Sequence, residues 1–205
     1  MEENLNYISQ KVHHHFILYK PFGYLSQFKS NSKHERKKQF LGELFNFPTN
    51  TMAVGRLDKK SEGLLLLTTD GKLSAHITGH HVEKEYYAQL NGDINEEAIQ
   101  KMRLGVEIGF KGIKYVTNPC EVKKLSGIPN FPERSKKIRD DSHGPTSWIS
   151  VTLKEGKFRQ VRKMTSAVGF PTLRLVRVRI GNLKLEDMLV GEVKPLANDF
   201  FQINI

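Results

Sequence analysis

Four consecutive leucines, Leu64 to Leu67, restrict the possible folds of this chain more than any other stretch. A strand with one face in water alternates apolar and polar residues, whereas a continuously apolar run predicts a central strand covered on both faces. The run follows "GRLDKKSEG" (55–63), in which one aspartate, Asp58, lies between Arg56 and Lys59. A buried strand is therefore entered through a loop that holds an acid among cations.

Asp58 has two interpretations on the residues alone. It is either a turn carboxylate satisfied by backbone amides or an arginine, or a group that takes part in chemistry. Neighbouring cations favour its ionised form. An ionised carboxylate at the mouth of a basic groove repels phosphate, so it would serve a pure nucleic-acid binder poorly.

The composition indicates a soluble protein with a polyanionic partner. The 205 residues are 38% hydrophobic and carry a net charge of +10, which favours nucleic acid over a membrane surface. The longest apolar stretch is far shorter than a membrane span, and the acidic N-terminus lacks an apolar signal core. The single cysteine, Cys120, excludes an internal disulfide and suits a reducing compartment. We expect a cytoplasmic protein, with no membrane partner.

The apolar pattern predicts interleaved strands and helices. Strands are expected over 16–21, 52–54, 64–68, 85–90, 148–153 and 172–180. Helices are expected from the capping box "SKHE" (32–35) to Pro48, from Asp70 to Gly79, from Asn95 to Gly105, and over 155–171. Residues 125–147, rich in proline and charge, predict a long loop. Several connections are too short for crossover helices, so we expect an α+β fold with a mixed, largely antiparallel sheet flanked by helices.

Segment 154–184 carries the strongest charge, with nine basic residues against Glu155 alone. On its predicted helix, Val161, Met164 and Val168 form a buried stripe, and Arg159, Arg162 and Lys163 share an adjacent face. A solvated basic face is the simpler interpretation. Because Arg177 and Arg179 extend the charge along a strand, we favour phosphate contact.

No metal or nucleotide cofactor is expected. The adjacent histidines His13 to His15 point to alternate sides of an extended segment, so an exposed polar tail is more plausible than a metal site. His80 and His81 have no nearby Cys or acid at ligand spacing except Glu83 and Glu85, so a metal site is only weakly indicated there. The chain has neither a P-loop nor a dinucleotide fingerprint.

Three segments resemble the motifs of pseudouridine synthases. The central segment "GRLDKKSEGLLLLTTDG" (55–71) closely resembles their signature, and "KPFGYL" (20–25) resembles the motif that precedes it. The segment "EGKFRQVRKMTSAVGFPTLRLVRVRIG" (155–181) resembles the third motif of the branch that modifies ribosomal RNA in bacteria. Within that branch, the large-subunit synthase E subfamily is most similar. One departure is Phe158, where relatives more often carry a polar residue such as Asn.

The resemblance implies the fold and the domain boundaries. It extends from about residue 16 to the C-terminus, so residues 1–15 are expected to be a flexible N-terminal segment. Residues 16–205 are expected to form the catalytic domain, with two closely joined lobes. The E subfamily lacks the small S4-type RNA-binding domain, and none is expected here. A monomer is expected.

The resemblance also implies the site. Asp58 would be the catalytic acid-nucleophile, Tyr86 would lie on the flipped uracil, and Arg162 would pair with Asp58. The implied RNA contacts are Arg56, Lys59, Lys84, Arg159, Gln160 and Lys163. The loop 125–147 would close over the RNA.

The implied reaction converts a uridine of 23S ribosomal RNA to pseudouridine by breaking the N1–C1′ bond and joining C5 to C1′. It requires no redox step or group donor, so no cofactor is implied. The residues do not tell whether Asp58 attacks C6, attacks C1′ or assists glycal formation. Two alternatives stay open: the same reaction on tRNA, and a non-catalytic RNA-binding or ribosome-assembly protein.

Overall fold

The computed structural model describes residues 12–30, 38–79, 82–110, 112–139, 141–197 and 200. The strands are β1 His15–Lys20, β2 Tyr24–Leu25, β3 Gln39–Phe40, β4 Met52–Val54, β5 Glu62–Thr68, β6 Lys84–Asn91, β7 Glu107–Phe110, β8 Ile113–Val116, β9 Glu121–Lys124, β10 Thr146–Leu153, β11 Thr172–Ile180, β12 Leu183–Lys184 and β13 Val193–Leu196. The helices are α1 Gly71–Thr78, α2 Glu96–Leu104 and α3 Gln160–Ala167. None of the described helices has the length and apolar character needed to cross a membrane.

The main sheet has the order β13-β1-β5-β11-β6-β10-β9, with β4 also on β5 and β12 also on β11. Its strand pairs are antiparallel except β5 with β11, which pair in parallel through Val176 opposite Glu62 and Arg177 opposite Gly63. Short connections join β4 to β5 and β11 to β12, whereas the other antiparallel pairs of this sheet join strands that lie further apart in the chain. The predicted α+β class with a mixed, largely antiparallel sheet is confirmed.

The leucine run forms the interior of the sheet, as predicted. All seven residues of β5 are buried. Leu64 and Leu66 pack with Tyr19, Val54 and Ile77 on one side. Leu65 and Leu67 pack on the other side against a second cluster that includes Phe16, Leu18 and Leu41. Because successive side chains of a strand point to opposite faces, a strand between two cores has to be apolar at every position.

Two of the predicted helices begin and end where the sequence indicates. The Asp70 carboxylate accepts hydrogen bonds from the backbone amides of Lys72 and Leu73 and caps α1. Asn95 caps α2 through the amide of Ala98, and Gly105 follows the last turn with φ 108°. The third, α3, begins five residues later than the start predicted at 155, because residues 155–159 form a loop that the site uses.

The helix predicted before Pro48 is wrong over the described residues, and its capping box lies outside them. Phe40 belongs to β3, and Leu41–Glu43 form only a short 3₁₀ turn. The ring of Phe16 packs against Phe45 and Phe47 at centroid distances of 5.7 and 5.5 Å. The apolar residues therefore cover one face of β1 and β5, and tertiary packing overrides the helical spacing.

The histidine run that leads into β1 is exposed only in part, since His14 is exposed and His13 is partly buried. His15 is buried, and its Nδ1 lies 2.8 Å from the Thr68 hydroxyl on β5. The prediction that the histidine run is solvent-exposed is wrong at this residue. Among the described residues, no group of three or more His, Cys, Asp or Glu side chains is placed to hold a metal.

The long loop before β10 is present as predicted and is anchored to the sheet. The Phe131 ring lies 6.1 Å from Tyr87 and 5.8 Å from Trp148. The Arg134 guanidinium lies 4.5 Å above the Phe22 ring. The loop is thereby attached at the rim of the sheet, next to the "KPFGYL" segment.

Candidate active site

Asp58 lies in the loop that enters β5, and its position is fixed by short-range hydrogen bonds. One carboxylate oxygen accepts from the Lys60 amide at 2.9 Å, and the other accepts from the Ser61 hydroxyl at 2.9 Å. The loop is held from behind by Ser26, whose hydroxyl donates to the Leu57 carbonyl and accepts from the Leu57 amide. An Asx-type turn therefore presents the carboxylate at a defined point above the buried strand.

Two arginines of the α3 region meet this carboxylate. Arg162 Nε lies 3.3 Å from one Asp58 oxygen, and Arg159 Nη1 lies 3.3 Å from the other. Arg162 is buried and also donates to the Lys60 carbonyl at 2.9 Å. Burial alone would raise the pKa of Asp58, but the charge of Arg162, the Ser61 hydrogen bond and the charge of Arg159 lower it below its ordinary value. Asp58 is therefore ionised and oriented at neutral pH.

The backbone before α3 explains how Arg159 reaches Asp58. Arg159 adopts the left-handed conformation with φ 53° and ψ 36°, which is uncommon for a residue other than glycine. The next side chain, Gln160, is buried, donates to the Glu155 carboxylate at 2.6 Å and accepts from the Lys157 amide at 2.9 Å. These bonds close the loop 155–160 and aim the arginine at the acid.

The interior position of Gln160 corrects its predicted role. Its amide is engaged within the protein, so the structure does not support an RNA contact at this side chain. Glu155 holds the same loop by accepting hydrogen bonds from the Tyr115 hydroxyl at 2.5 Å and the Asn118 amide at 2.9 Å. The sequence pattern gave no sign of this role for Glu155, because its partners come from the distant β7–β8 region.

The arginines of β11 do not form a basic surface, contrary to the prediction for this strand. Arg174 is buried and pairs with Glu62 at 2.9 Å. Arg177 is buried and donates to the Leu64 carbonyl at 2.7 Å. Arg179 pairs with Glu85 at 2.9 Å and Glu83 at 3.2 Å. Since β11 lies between β5 and β6, its side chains are taken up by the protein itself.

Four other predicted site residues lie on the Asp58 loop or on β6. Arg56 and Lys59 are exposed on the loop. Tyr86 is half-buried on β6, where the strand register places it opposite Arg177. Lys84, on the same strand, donates to the Gly79 carbonyl at 3.3 Å. Burial, and then the charge of Arg177, lower the pKa of Lys84 to about 8.

The family model for RNA pseudouridylate synthase matches residues 14–167, which include the Asp58 loop and all of α3. The chain belongs to this family. The synthase is therefore an isomerase, in agreement with the prediction from its motifs.

Similar proteins cover most of the synthase. A protein of Xanthomonas axonopodis pv. citri named ribosomal large subunit pseudouridine synthase E is 41% identical over 83% of this chain and 87% of its own length. One of the same name from Vibrio vulnificus is 35% identical over 96% of this chain and 79% of its own length. A crystal structure of a pseudouridylate synthase matches with a TM-score of 0.71 and 28% identity, over 93% of this chain and 73% of that one.

Two further residues belong to the site of the synthase and were not singled out from the sequence. Ser61 bonds both Asp58 and Arg162. Lys20 is fully buried beneath the loop and donates to the Ser61 and Pro21 carbonyls at 2.8 and 2.9 Å. Burial lowers the pKa of Lys20 to about 7, although Asp58 and Glu62 oppose the shift. The signal for Lys20 was its place in "KPFGYL", and for Ser61 its place in the central motif.

Proposed function

We propose that the synthase isomerises a single uridine of 23S ribosomal RNA to pseudouridine, with Asp58 as the catalytic acid-nucleophile. The observation that carries this proposal is the ionised Asp58 carboxylate held between Arg159 and Arg162. A pure RNA binder gains nothing from a negative charge at this place, because the charge repels phosphate. A partly buried acid whose pKa is shifted by specific charged partners is typical of catalytic sites.

In the proposed reaction the target base leaves its stack and meets Asp58 in the cleft. Unstacking costs a few kcal/mol, and contact with the half-buried Tyr86 ring offsets part of that cost. The N1–C1′ bond breaks, the uracil turns, and C5 bonds to C1′. The proton on C5 goes to solvent and N1 takes up a proton, so atoms and electrons balance without a donor or an oxidant.

The large-subunit target is supported by the names of the similar proteins from Xanthomonas and Vibrio. Recognition of a stem and its loop needs basic surface near Asp58. The loop at 133–139 supplies Arg134, Lys136, Lys137 and Arg139, and Arg134 already lies at the rim, over Phe22. Segment 29–38 carries five basic residues against one acidic residue, which favours a further RNA contact, but it lies largely outside the described residues. We further propose that a cytoplasmic monomer acts on free or partly assembled RNA, where the stem is accessible.

The proposal is tested by mapping pseudouridine with carbodiimide treatment and reverse transcription, in total RNA from cells with and without the gene. Purified protein is then given naked 23S fragments, intact large subunits and bulk tRNA. We expect one site, in 23S RNA, with naked fragments the better substrate. Preference for tRNA, or for finished subunits, would show the target to be wrong. Binding without any modification would leave the non-catalytic alternative.

The catalytic assignment has its own test. Asp58→Asn should reduce tritium release from RNA labelled at uridine C5 to background, while fold and RNA affinity stay nearly unchanged. Asp70→Asn is the matched control, because that carboxylate caps α1 and contacts neither Arg159 nor Arg162. Activity of Asp58→Asn close to wild type would refute the role. For Tyr86, replacement by Ala should weaken binding by roughly 1–3 kcal/mol, and replacement by Phe should not.

A further inference from the structure

Phe158 is an aromatic side chain placed in water at the edge of the site. Its exposed fraction is 68%, against 42% for Phe45, whose ring packs on Phe16. Phe158 immediately precedes Arg159, the residue whose guanidinium contacts Asp58. Single exposed apolar residues are ordinary on protein surfaces. The position of this one, next to a group that contacts the catalytic acid, is what calls for an explanation.

The ring of Phe158 is accompanied by a fixed cation. Lys163 Nζ lies 5.4 Å from the ring centroid and donates to the Gly109 carbonyl on β7 at 2.6 Å. A second pair of the same kind lies beside it, with Lys157 Nζ 4.7 Å from the Tyr115 ring. Cations held against aromatic rings, next to a positively charged cleft, are the elements from which proteins build contacts to single-stranded nucleic acid.

We propose that Phe158 and Lys163 form a stacking subsite for one unpaired base that flanks the flipped uridine. The exposed ring face takes the base, and the ammonium lies close enough to attract the adjoining phosphate. Every base has a π-face, so this subsite selects for an unpaired nucleotide and not for a particular base. It thereby restricts the synthase to uridines in loops or bulges. The inference rests on the proposed function for its RNA substrate, but not on the identity of that RNA.

A binding measurement tests the subsite without requiring catalysis. Phe158→Ala should weaken binding of a short single-stranded oligouridine by roughly 5- to 150-fold, which corresponds to 1–3 kcal/mol per stacked base. Binding of an RNA duplex should not change, and Phe158→Tyr should keep the wild-type affinity. Leu104→Ala is the control, because Leu104 is 76% exposed at the end of α2, a helix that contributes no residue to the proposed subsite. Equal effects of Phe158→Ala on both RNAs, or no effect, would overturn the subsite.

An abasic scan places the subsite on the substrate. Each unpaired nucleotide near the target, in the shortest RNA that the wild-type protein modifies, is replaced in turn by an abasic one. We expect one position that raises KM and leaves kcat unchanged, and Phe158→Ala should add no further loss on that RNA. Additive losses at every position would overturn the proposal. Failure of the wild-type protein to modify any 23S fragment would count against the proposed function alone, since the oligouridine measurement still decides the subsite.

Discussion

The α3 region and β11 are both rich in arginine and lie close together in the chain, yet they use it differently. Arg159 and Arg162 converge on Asp58, whose carboxylate is partly exposed to solvent. Arg174 and Arg177 are buried, one against Glu62 and the other against the Leu64 carbonyl. Charge density along a sequence therefore does not tell whether a cation serves a ligand or the fold. The neighbouring elements determine which of the two roles an arginine has. The strand β11 has strands on both sides, which bury Arg174 and Arg177, whereas α3 packs on the sheet and leaves one face open.

The largest effect is expected where a buried pair is broken. Arg174→Met leaves the Glu62 carboxylate buried without its cation, so the free energy of unfolding should fall by roughly 3–5 kcal/mol. The salt dependence of RNA binding should stay as in the wild type. Denaturant unfolding measures the first quantity, and replacing Glu62 by Gln in the same chain should restore part of the loss. A small change in stability with weaker RNA binding would place Arg174 on the RNA surface after all.

Arg162→Met should act on the reaction. Removal of a preorganised charge at a reacting group typically costs on the order of 10²–10³ in rate, and we expect kcat/KM to fall by that factor. Arg162 lowers the pKa of Asp58, so its loss raises that pKa. Activity that needs the carboxylate is lost as pH falls through the pKa, and the acid limb of the pH–rate profile should therefore move to higher pH.

The matched control for Arg162→Met is Arg179→Met on β11, which removes an arginine paired with Glu85 and Glu83. It should leave the acid limb in place. Thermal unfolding separates a general loss of structure from the expected effect, because instability lowers activity without moving the profile. An unmoved acid limb in Arg162→Met would show that this arginine does not control the ionisation of Asp58.

Lys84 lies on β6 beside β11, and burial, followed by the charge of Arg177, lowers its pKa to about 8. If Lys84 contacts RNA as its ammonium form, affinity should fall roughly threefold to tenfold as pH rises through about 8, the effect of one hydrogen bond of 0.5–1.5 kcal/mol. Lys84→Arg should remove this dependence, because an arginine stays charged. Equal pH dependence in both proteins would exclude Lys84 as its source.

The smallest effect concerns the salt dependence of binding. Lys163→Ala should lower the slope of log affinity against log salt by roughly 0.7–0.9, the value for one phosphate contact. Arg179→Ala should leave the slope unchanged, because its guanidinium is paired with the carboxylates of Glu83 and Glu85 within the protein. Equal slopes for the two variants would contradict the conclusion that α3 contacts RNA phosphate while the β11 arginines are paired within the protein.

The sequence predicted those parts of the fold whose causes are local. The run Leu64 to Leu67 predicts a buried strand whatever its neighbouring strands are. The caps Asp70 and Asn95 accept hydrogen bonds from amides within their own helices. The aromatic segment before Pro48 was mispredicted because its rings pack on Phe16, a contact that helical spacing does not show.

In the site, too, features with local causes were predictable and features that depend on distant residues were not. Composition and spacing left the role of Asp58 open, and only the resemblance to a family implied its pairing with Arg162. The functions of Glu155, Gln160 and Lys20 depend on which elements surround them. An arginine that is buried against its own protein and one that faces a ligand look the same in a sequence. The burial of the β11 arginines could therefore not be predicted from the sequence.

The parallel seam between β5 and β11 also has a consequence for synthesis. Its bonds, Arg174 to Glu62 and Arg177 to Leu64, span 112 and 113 residues of chain, and Arg162 reaches Asp58 across 104. Contacts of such long range form slowly and late. At roughly 5–20 residues per second, Asp58 emerges several seconds before its arginines are made. The nascent chain therefore carries Asp58 without either arginine until the α3 region has been made, and the parallel pairing of β5 with β11 completes the sheet only after that.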